Sequence, residues 1–297
     1  MSVKQLFSTT RTEIAGHSVT DLAAKFGTPF YVYDASVIKA RIEQLRQFDV
    51  IRYAQKANSN LAILDLMRRS GVVVDAVSAG EIHRAEKAGY KAESSAHEIV
   101  YTADIFDKET LDTIAQKNIH VNVGSPDMIR QYGERMKGGE ITLRINPGFG
   151  HGHSQKTNTG GQQSKHGIWH EQLEECCKIA AEYDVTVAGL HMHIGSGTDF
   201  EHLSLVCDAM IETARVVGPS IKMISAGGGL PTRYRADDCE LDVERYFQLW
   251  DRARNTLKEE FGHDVSLEIE PGRFLVAECG FLIAEIRAVK QLSLIHI

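Results

Sequence analysis

A lysine, two histidines, three consecutive glycines and a Glu-Pro-Gly-Arg turn are the residues of this chain whose types and spacing suit chemistry. Lys56 closes a strand-like apolar run in Arg52-Tyr-Ala-Gln-Lys-Ala-Asn-Ser-Asn60. Most lysines sit in water at such places. An amine held where a buried strand opens into a loop can instead attack a carbonyl, provided that it sheds its proton. His191 and His193 alternate in His-Met-His-Ile-Gly-Ser-Gly and so share a strand face. They read as a metal pair, as buried histidines bonded to backbone, or as an imidazole stacked on an aromatic ring. A metal needs further ligands, and only Glu270 qualifies, so no metal site is assigned. Gly227, Gly228 and Gly229 serve a tight turn or bring backbone N–H groups up to an anion such as phosphate, the favoured reading. Ser196, in Gly-Ser-Gly 195–197, adds a hydroxyl nearby. In Glu270-Pro-Gly-Arg273 the carboxylate suits a basic ring nitrogen and the guanidinium a carboxylate or phosphate, against a bland surface ion pair.

These residues need a scaffold that gathers them. Short β-branched runs at Val50–Gln55, Val72–Val77, Ile99–Thr102, His120–Val123, Ile141–Ile145, Thr186–His193, Ile221–Ser225 and Val265–Ile269 alternate with helix-like stretches such as Asn60–Ser70 and Val243–Phe261. The runs read as apolar throughout, as in a parallel sheet covered on both faces. Eight of them point to an α/β fold, a closed (β/α)8 TIM-type barrel of roughly 220 residues. No G-x-G-x-x-G follows a strand, which argues against an open doubly wound sheet. In such a barrel the active site lies at the C-terminal strand ends. Lys56, Asp75–Glu81, Arg144–Gly148, His191–Gly197, Ser225–Leu230 and Glu268–Arg273 all fall there. A long loop at 148–169, carrying His151, His153 and His166, follows the fifth strand and reads as a lid or an adventitious metal binder.

Composition sets the class. Of 297 residues, 43% are hydrophobic and 25% charged, ordinary for a globular protein. The net charge of -7 argues against nucleic acid or an anionic membrane as the main partner. Five scattered cysteines without a C-x-x-C spacing read as reduced thiols, and no run reaches membrane-spanning length, so a cytoplasmic location is expected.

Taken together, Phe-Gly-Thr-Pro-Phe-Tyr-Val-Tyr-Asp (26–34), the Lys56 stretch, Ser-Lys-His-Gly-Ile (164–168), His-Met-His-Ile-Gly-Ser-Gly, the glycine triplet and Glu-Pro-Gly-Arg-Phe-Leu-Val resemble the barrel-type pyridoxal-phosphate (PLP) amino-acid decarboxylases. Among these the motifs are most similar to the diaminopimelate decarboxylase family, from about Leu6 to Gln291. The resemblance implies PLP as cofactor, with Lys56 as the amine that bonds to it and the catalytic residue. It implies that His193 stacks on the ring. Ser196, Gly228 and Gly229 would hold the phosphate, with the backbone of Glu270, Pro271, Gly272 and Arg273. Glu270 would face the ring nitrogen and Arg273 would clamp a substrate carboxylate. The implied reaction converts meso-2,6-diaminopimelate to L-lysine and CO2 in lysine biosynthesis. The implied partners are a small amino-acid substrate and a second copy in a homodimer.

The family continues past residue 291 into a β-domain with a Cys-Glu-Ser-Gly-Asp segment that serves the partner subunit. That segment does not occur here, and Cys279 in Ala-Glu-Cys-Gly-Phe does not match it. The expected layout is a segment 1–35 belonging to the β-domain, the PLP-binding barrel at 36–272, and the start of an incomplete β-domain at 273–297. The apolar Leu-Ser-Leu-Ile-His-Ile at the end is expected to be a truncation point or a non-native tail. Such a chain is expected to bind PLP weakly and not to turn over. Competing readings are another PLP decarboxylase or racemase on this scaffold, a metal-dependent barrel hydrolase, and a non-catalytic homologue.

Overall fold

The computed structural model describes residues 10–93, 96–149, 161, 164–193, 199–238 and 240–290. The chain enters through an antiparallel pair, β1 (Glu13–Ile14) and β2 (His17–Ser18), then α1 (Val19–Phe26), β3 (Phe30–Tyr33) and α2 (Ala35–Glu43). There follow β4 (Val50–Ala54), α3 (Leu61–Arg69), β5 (Val73–Ala76), α4 (Ala79–Lys87), β6 (Ile99–Ala103), α5 (Lys108–Lys117), β7 (His120–Val123) and α6 (Pro126–Arg135). The second half runs β8 (Glu140–Asn146), β9 (Ile168–Trp169), α7 (Leu173–Glu182), β10 (Thr186–His191), α8 (Phe200–Val217), β11 (Met223–Ser225), α9 (Val243–Phe261) and β12 (Ser266–Ile269). The parallel order is β10-β11-β12-β4-β5-β6-β7-β8, and β8 pairs back onto β10, so the sheet closes into the (β/α)8 barrel.

Side chains at the strand–helix junctions set where each helix starts. Asn60 accepts from the Ala62 N–H at 2.9 Å, Ser78 from Glu81 at 3.2 Å and Asp107 from Thr110 at 2.7 Å, each an N-cap that satisfies a free helix donor. Ser125 caps α6 with Pro126 in its first turn, where a missing N–H costs nothing. The buried face of α3 is Ile63, Leu64 and Met67, while Leu61 at its start is 44% exposed.

The strands are not apolar on both faces, which corrects the sequence reading. Ile51, Tyr53, Val74, Val121, Leu143, Leu190, Leu267 and Ile269 pack with the helices in the main core. The alternate positions Arg52, Asp75, Thr102, His120, Asn122, Thr142, His191, Ser225 and Glu268 are buried and polar. They bond to one another between neighbouring strands: Arg52 Nε and Nη2 lie 3.1 and 3.2 Å from Glu268, Asn122 Nδ2 is 2.8 Å from Thr102 Oγ1, and His120 Nε2 is 2.8 Å from Thr142 Oγ1. These bonds offset much of the cost of burying polar groups, although Asp75 Oδ1, Asn122 Oδ1 and His191 Nδ1 have no partner among the described residues. The core of apolar packing is therefore the layer between strands and helices.

After β12 the chain forms α10 (Arg273–Val276), a 3-10 turn at Ala277–Cys279 and β13 (Gly280–Ile283). The reading of this region as β-structure holds for β13 alone. Phe274, Leu275 and Val276 are all buried, which a helical turn packed beside α2 achieves. Arg41 of α2 lies over the Phe274 ring at 4.9 Å and pairs with Glu278 at 2.5 Å. Outside the barrel β13 runs antiparallel to β3, with Gly280 opposite Tyr33 and Ile283 opposite Phe30. The proposed non-native tail at 292–297 lies outside the described residues.

Candidate active site

A cavity of about 700 Å³ opens at the C-terminal ends of the barrel strands. Its walls include Lys56, Asp75, His193, Gly229, Glu270 and Arg273. The amine and the acid singled out from the sequence thus share one mouth.

Lys56 stands one turn beyond β4, in the 3-10 turn Gln55–Ala57, and is exposed to the cavity. The turn is held from several sides. The Ala54 N–H donates to the Pro271 carbonyl at 3.1 Å, Gln55 Nε2 to the Glu81 carbonyl at 3.2 Å, and the Tyr53 hydroxyl to the Asn58 carbonyl at 2.9 Å. Asn58 and Asn60 are turn and cap residues: Asn58 Oδ1 accepts from the Asn60 N–H at 3.1 Å. The Ala-Asn-Ser-Asn break after Lys56 is thus scaffold.

The glycine triplet answers to close packing first. A Cβ on Gly227 would stand 2.5 Å from the Met192 carbonyl oxygen, and one on Gly228 2.4 Å from the Glu270 carbonyl oxygen. The Gly228 N–H donates to His193 Nδ1 at 2.8 Å, so it anchors that ring instead of offering itself to an anion. Gly229, with φ at +90°, is the member of the triplet that lines the cavity. His193 lies two residues past the end of β10, not within the strand, yet its ring is nearly parallel to that of His191 (5°, centroids 6.4 Å apart). Burial, then the charges of Arg144, His191 and Lys56, hold His193 well below the usual histidine range and hence neutral.

Glu270 is buried at the end of β12. Its Oε2 is 2.7 Å from His191 Nε2, and its Oε1 lies 3.3 Å from Ser225 Oγ and 3.4 Å from Asn122 Nδ2. Burial pushes its carboxyl up, but the His191 imidazole, through charge and hydrogen bond, and Arg52 outweigh it and hold the group below the usual carboxylate range. Asp75, on the same cavity, behaves in the opposite way. Burial and then the Glu270 charge push it up to about 7, against the pull of Lys56, Thr102 and Arg52, and its Oδ1 has no hydrogen-bond partner.

In the sequence Asp75 stands within a motif without an assigned role, and His191 meets Glu270 only as a possible co-ligand of a metal that was not assigned. Sequence reasoning also left out a third cluster. Asp104, just past β6, pairs with His166 Nδ1, accepts from the Gly167 N–H at 3.3 Å and lies 3.6 Å from Arg144 Nη1. Arg144 and His166 both line the cavity. The signal was strand-end position alone. Pro271 acts through its carbonyl, and a Cβ on Gly272 would press on Ala54 at 3.3 Å. Arg273 is exposed at the start of α10, with its guanidinium 6.0 Å from the Tyr234 ring. Ser196, His151 and His153 lie outside the described residues. Among the described residues no group of three His, Cys, Asp or Glu side chains is arranged to hold a metal.

A parallel barrel that gathers an amine, a fixed carboxylate and a neutral imidazole at its strand ends is the scaffold of a pyridoxal-binding domain. The family model for the pyridoxal-dependent decarboxylase, pyridoxal binding domain, matches residues 35–277. A diaminopimelate decarboxylase of Streptomyces coelicolor is 55% identical over 278 residues, covering 94% of this chain and 63% of the relative. One of Escherichia coli is 49% identical over 291 residues, covering 98% and 69%. A crystal structure of diaminopimelate decarboxylase superposes with a TM-score of 0.90 at 48% identity, covering 98% of this chain and 69% of that one. A Helicobacter pylori diaminopimelate decarboxylase complexed with L-lysine gives 0.80 at 29% identity, over 89% of this chain and 68% of the other. The chain belongs to the diaminopimelate decarboxylase family of pyridoxal-dependent decarboxylases. It spans 63% and 69% of the lengths of the two curated relatives. Among the described residues no helix is long and apolar enough to cross a membrane.

Proposed function

We propose that this chain forms the cofactor-binding barrel of a PLP-dependent carboxy-lyase that converts meso-2,6-diaminopimelate to L-lysine and CO2. The observation that carries the reading is the meeting of Lys56 and Glu270 on one cavity, in a chain of this family. The residues fit PLP. The cavity offers an amine, a buried carboxylate held ionised, a neutral imidazole and a glycine turn free of Cβ atoms.

Lys56 would be the amine that bonds to the cofactor aldehyde, and Glu270 the partner of its ring nitrogen. His193, fixed by the Gly228 N–H, would lie against the ring. Gly229, with Ser196 and the turn Glu270–Arg273, would hold the phosphate, and Arg273 a substrate carboxylate. When bound, the pyridoxal ring supplies the electron sink for the charge left as CO2 departs. A homodimer and a cytoplasmic location belong to the same proposal.

Titration of the chain with PLP followed by borohydride reduction and peptide mass spectrometry tests the reading. The expected product is a phosphopyridoxyl group on Lys56. A label on another lysine, or none, overturns the assignment. In a full-length version that carries the family's β-domain, release of CO2 from meso-2,6-diaminopimelate in preference to lysine, ornithine or arginine tests the substrate, and sedimentation tests the dimer.

A further inference from the structure

The buried pair His191–Glu270 goes beyond that reading, and rests on it for the identity of the ring that Glu270 meets. His191 is 1% exposed and sits on β10; Glu270 is 5% exposed and follows β12, so their contact reaches past the intervening β11. His191 Nε2 and Glu270 Oε2 are 2.7 Å apart, the distance of a charge-assisted hydrogen bond. An ionised carboxylate only accepts, so Nε2 carries the proton. His191 Nδ1 is buried and has no partner. Among the described residues the one hydrogen bond of this side chain goes to Glu270. Oε1, the other oxygen, has only long contacts, 3.3 Å to Ser225 Oγ and 3.4 Å to Asn122 Nδ2. Arg52 and Asp75 act on the carboxylate by charge, and neither donates a hydrogen bond to it among the described residues.

We propose that His191 is a positioning residue: its Nε2–H fixes the Glu270 carboxylate by one oxygen, so that the other is presented to the heteroaromatic ring nitrogen of a cofactor in the cavity. A merely structural histidine would fill space and be replaceable by any side chain of like volume. A positioning histidine is replaceable only by one that returns a donor to the same place.

Glutamine extends an Nε2 donor over a similar reach, whereas leucine fills volume without a donor. The test compares the parent chain with His191→Gln and His191→Leu, all carrying the same circular dichroism. PLP affinity is read by absorbance titration, and the ring-nitrogen resonance by NMR with ring-15N-labelled PLP. Loss of a hydrogen bond to a charged group predicts roughly tenfold to hundredfold weaker PLP binding for His191→Leu and a shifted ring-nitrogen resonance. His191→Gln is expected to restore both. In the cofactor-free chain, imidazole 15N NMR should show His191 protonated at Nε2, and this signature should change in Glu270→Gln. Equal affinity and equal resonance for parent and His191→Leu overturn the proposal, as does a His191 protonated at Nδ1 alone. A parent chain that binds no PLP overturns the reading of function, while the imidazole tautomer still decides whether His191 is bonded to Glu270 as described.

Discussion

Asp75 and Glu270 are two buried carboxyl groups on one cavity, and their surroundings move their protons in opposite directions. Glu270 has His191 as a donor; Asp75 has an oxygen with no partner. Two like charges so placed cannot both ionise cheaply, and the one with the hydrogen-bond donor keeps its charge.

The pair predicts a pH-dependent stability. The Asp75 carboxyl is raised from 3.8 to about 7 in the folded chain, so the folded state holds a proton there that the unfolded state has lost. Its contribution is fully present below the unfolded value and is lost as pH rises through about 7. Asp75→Asn, neutral throughout, should raise the melting temperature relative to the parent, with a gap that widens from about pH 5 to about pH 8. Parallel melting profiles would show that Asp75 is ionised in both states. Glu270 runs the other way, since its lowered carboxyl adds stability that falls away as pH drops below its usual range.

Lys56→Ala should remove the borohydride-trapped label and, in a version carrying the family's β-domain, lower decarboxylation by on the order of a thousandfold or more. Because Lys56 is exposed and its turn is held by backbone bonds, the melting temperature of the cofactor-free chain should barely move. A large loss of stability would mean that the lysine serves the scaffold instead.

Gly228→Ala places a methyl group 2.4 Å from the Glu270 carbonyl oxygen and 3.1 Å from His193 Cε1. Backbone cannot yield as a flexible side chain would, so a cost of about 1–3 kcal/mol is expected in denaturant unfolding, together with weakened PLP binding. An unchanged unfolding midpoint would show that the strand ends part easily.

Arg52→Met would leave Glu268 buried without its bidentate partner. Removing one member of a buried pair typically costs about 3–5 kcal/mol, far more than an exposed pair does. The double variant Arg52→Met with Glu268→Gln should recover much of that loss. If it does not, the two residues are not coupled.

Asp104→Asn weakens the tie between β6 and the residues 164–167, which it holds through His166 and Gly167. Cleavage by trypsin after Lys165 should become severalfold faster, since opening exposes the backbone to the protease. Cleavage at the parent rate would show that other contacts keep this segment in place.

Much of this architecture could be read from the chain before any coordinates. Alternation of short β-branched runs with longer helix-like stretches located the eight barrel strands and the helices between them, because those signals are local. Lys56, Gly229, Glu270 and Arg273 were legible for the same reason, as unusual residues at strand ends. Contacts that exist only once the sheet closes were not. Asn122 on β7 reaches Glu270 after β12, strands that are far apart in the sheet order. His191 was left among three readings, metal pair, buried histidine or ring stack, none of which was a donor to Glu270, and the polar inward face read as part of an apolar run. Gly227 and Gly228 looked like an anion cradle, whereas the backbone of neighbouring strands is what excludes a Cβ there.

The interior of the barrel also acts as a lock on assembly. A strand displaced by one residue turns its side chains to the opposite face. At β4 that slip would carry Arg52 out among the helices, bring Ile51 or Tyr53 into a polar centre and strand Glu268. Greasy inner layers would tolerate such an error at modest cost. Here Arg52 with Glu268, Asn122 with Thr102 and His120 with Thr142 must all meet at once, so a misaligned closure leaves several buried polar groups without partners.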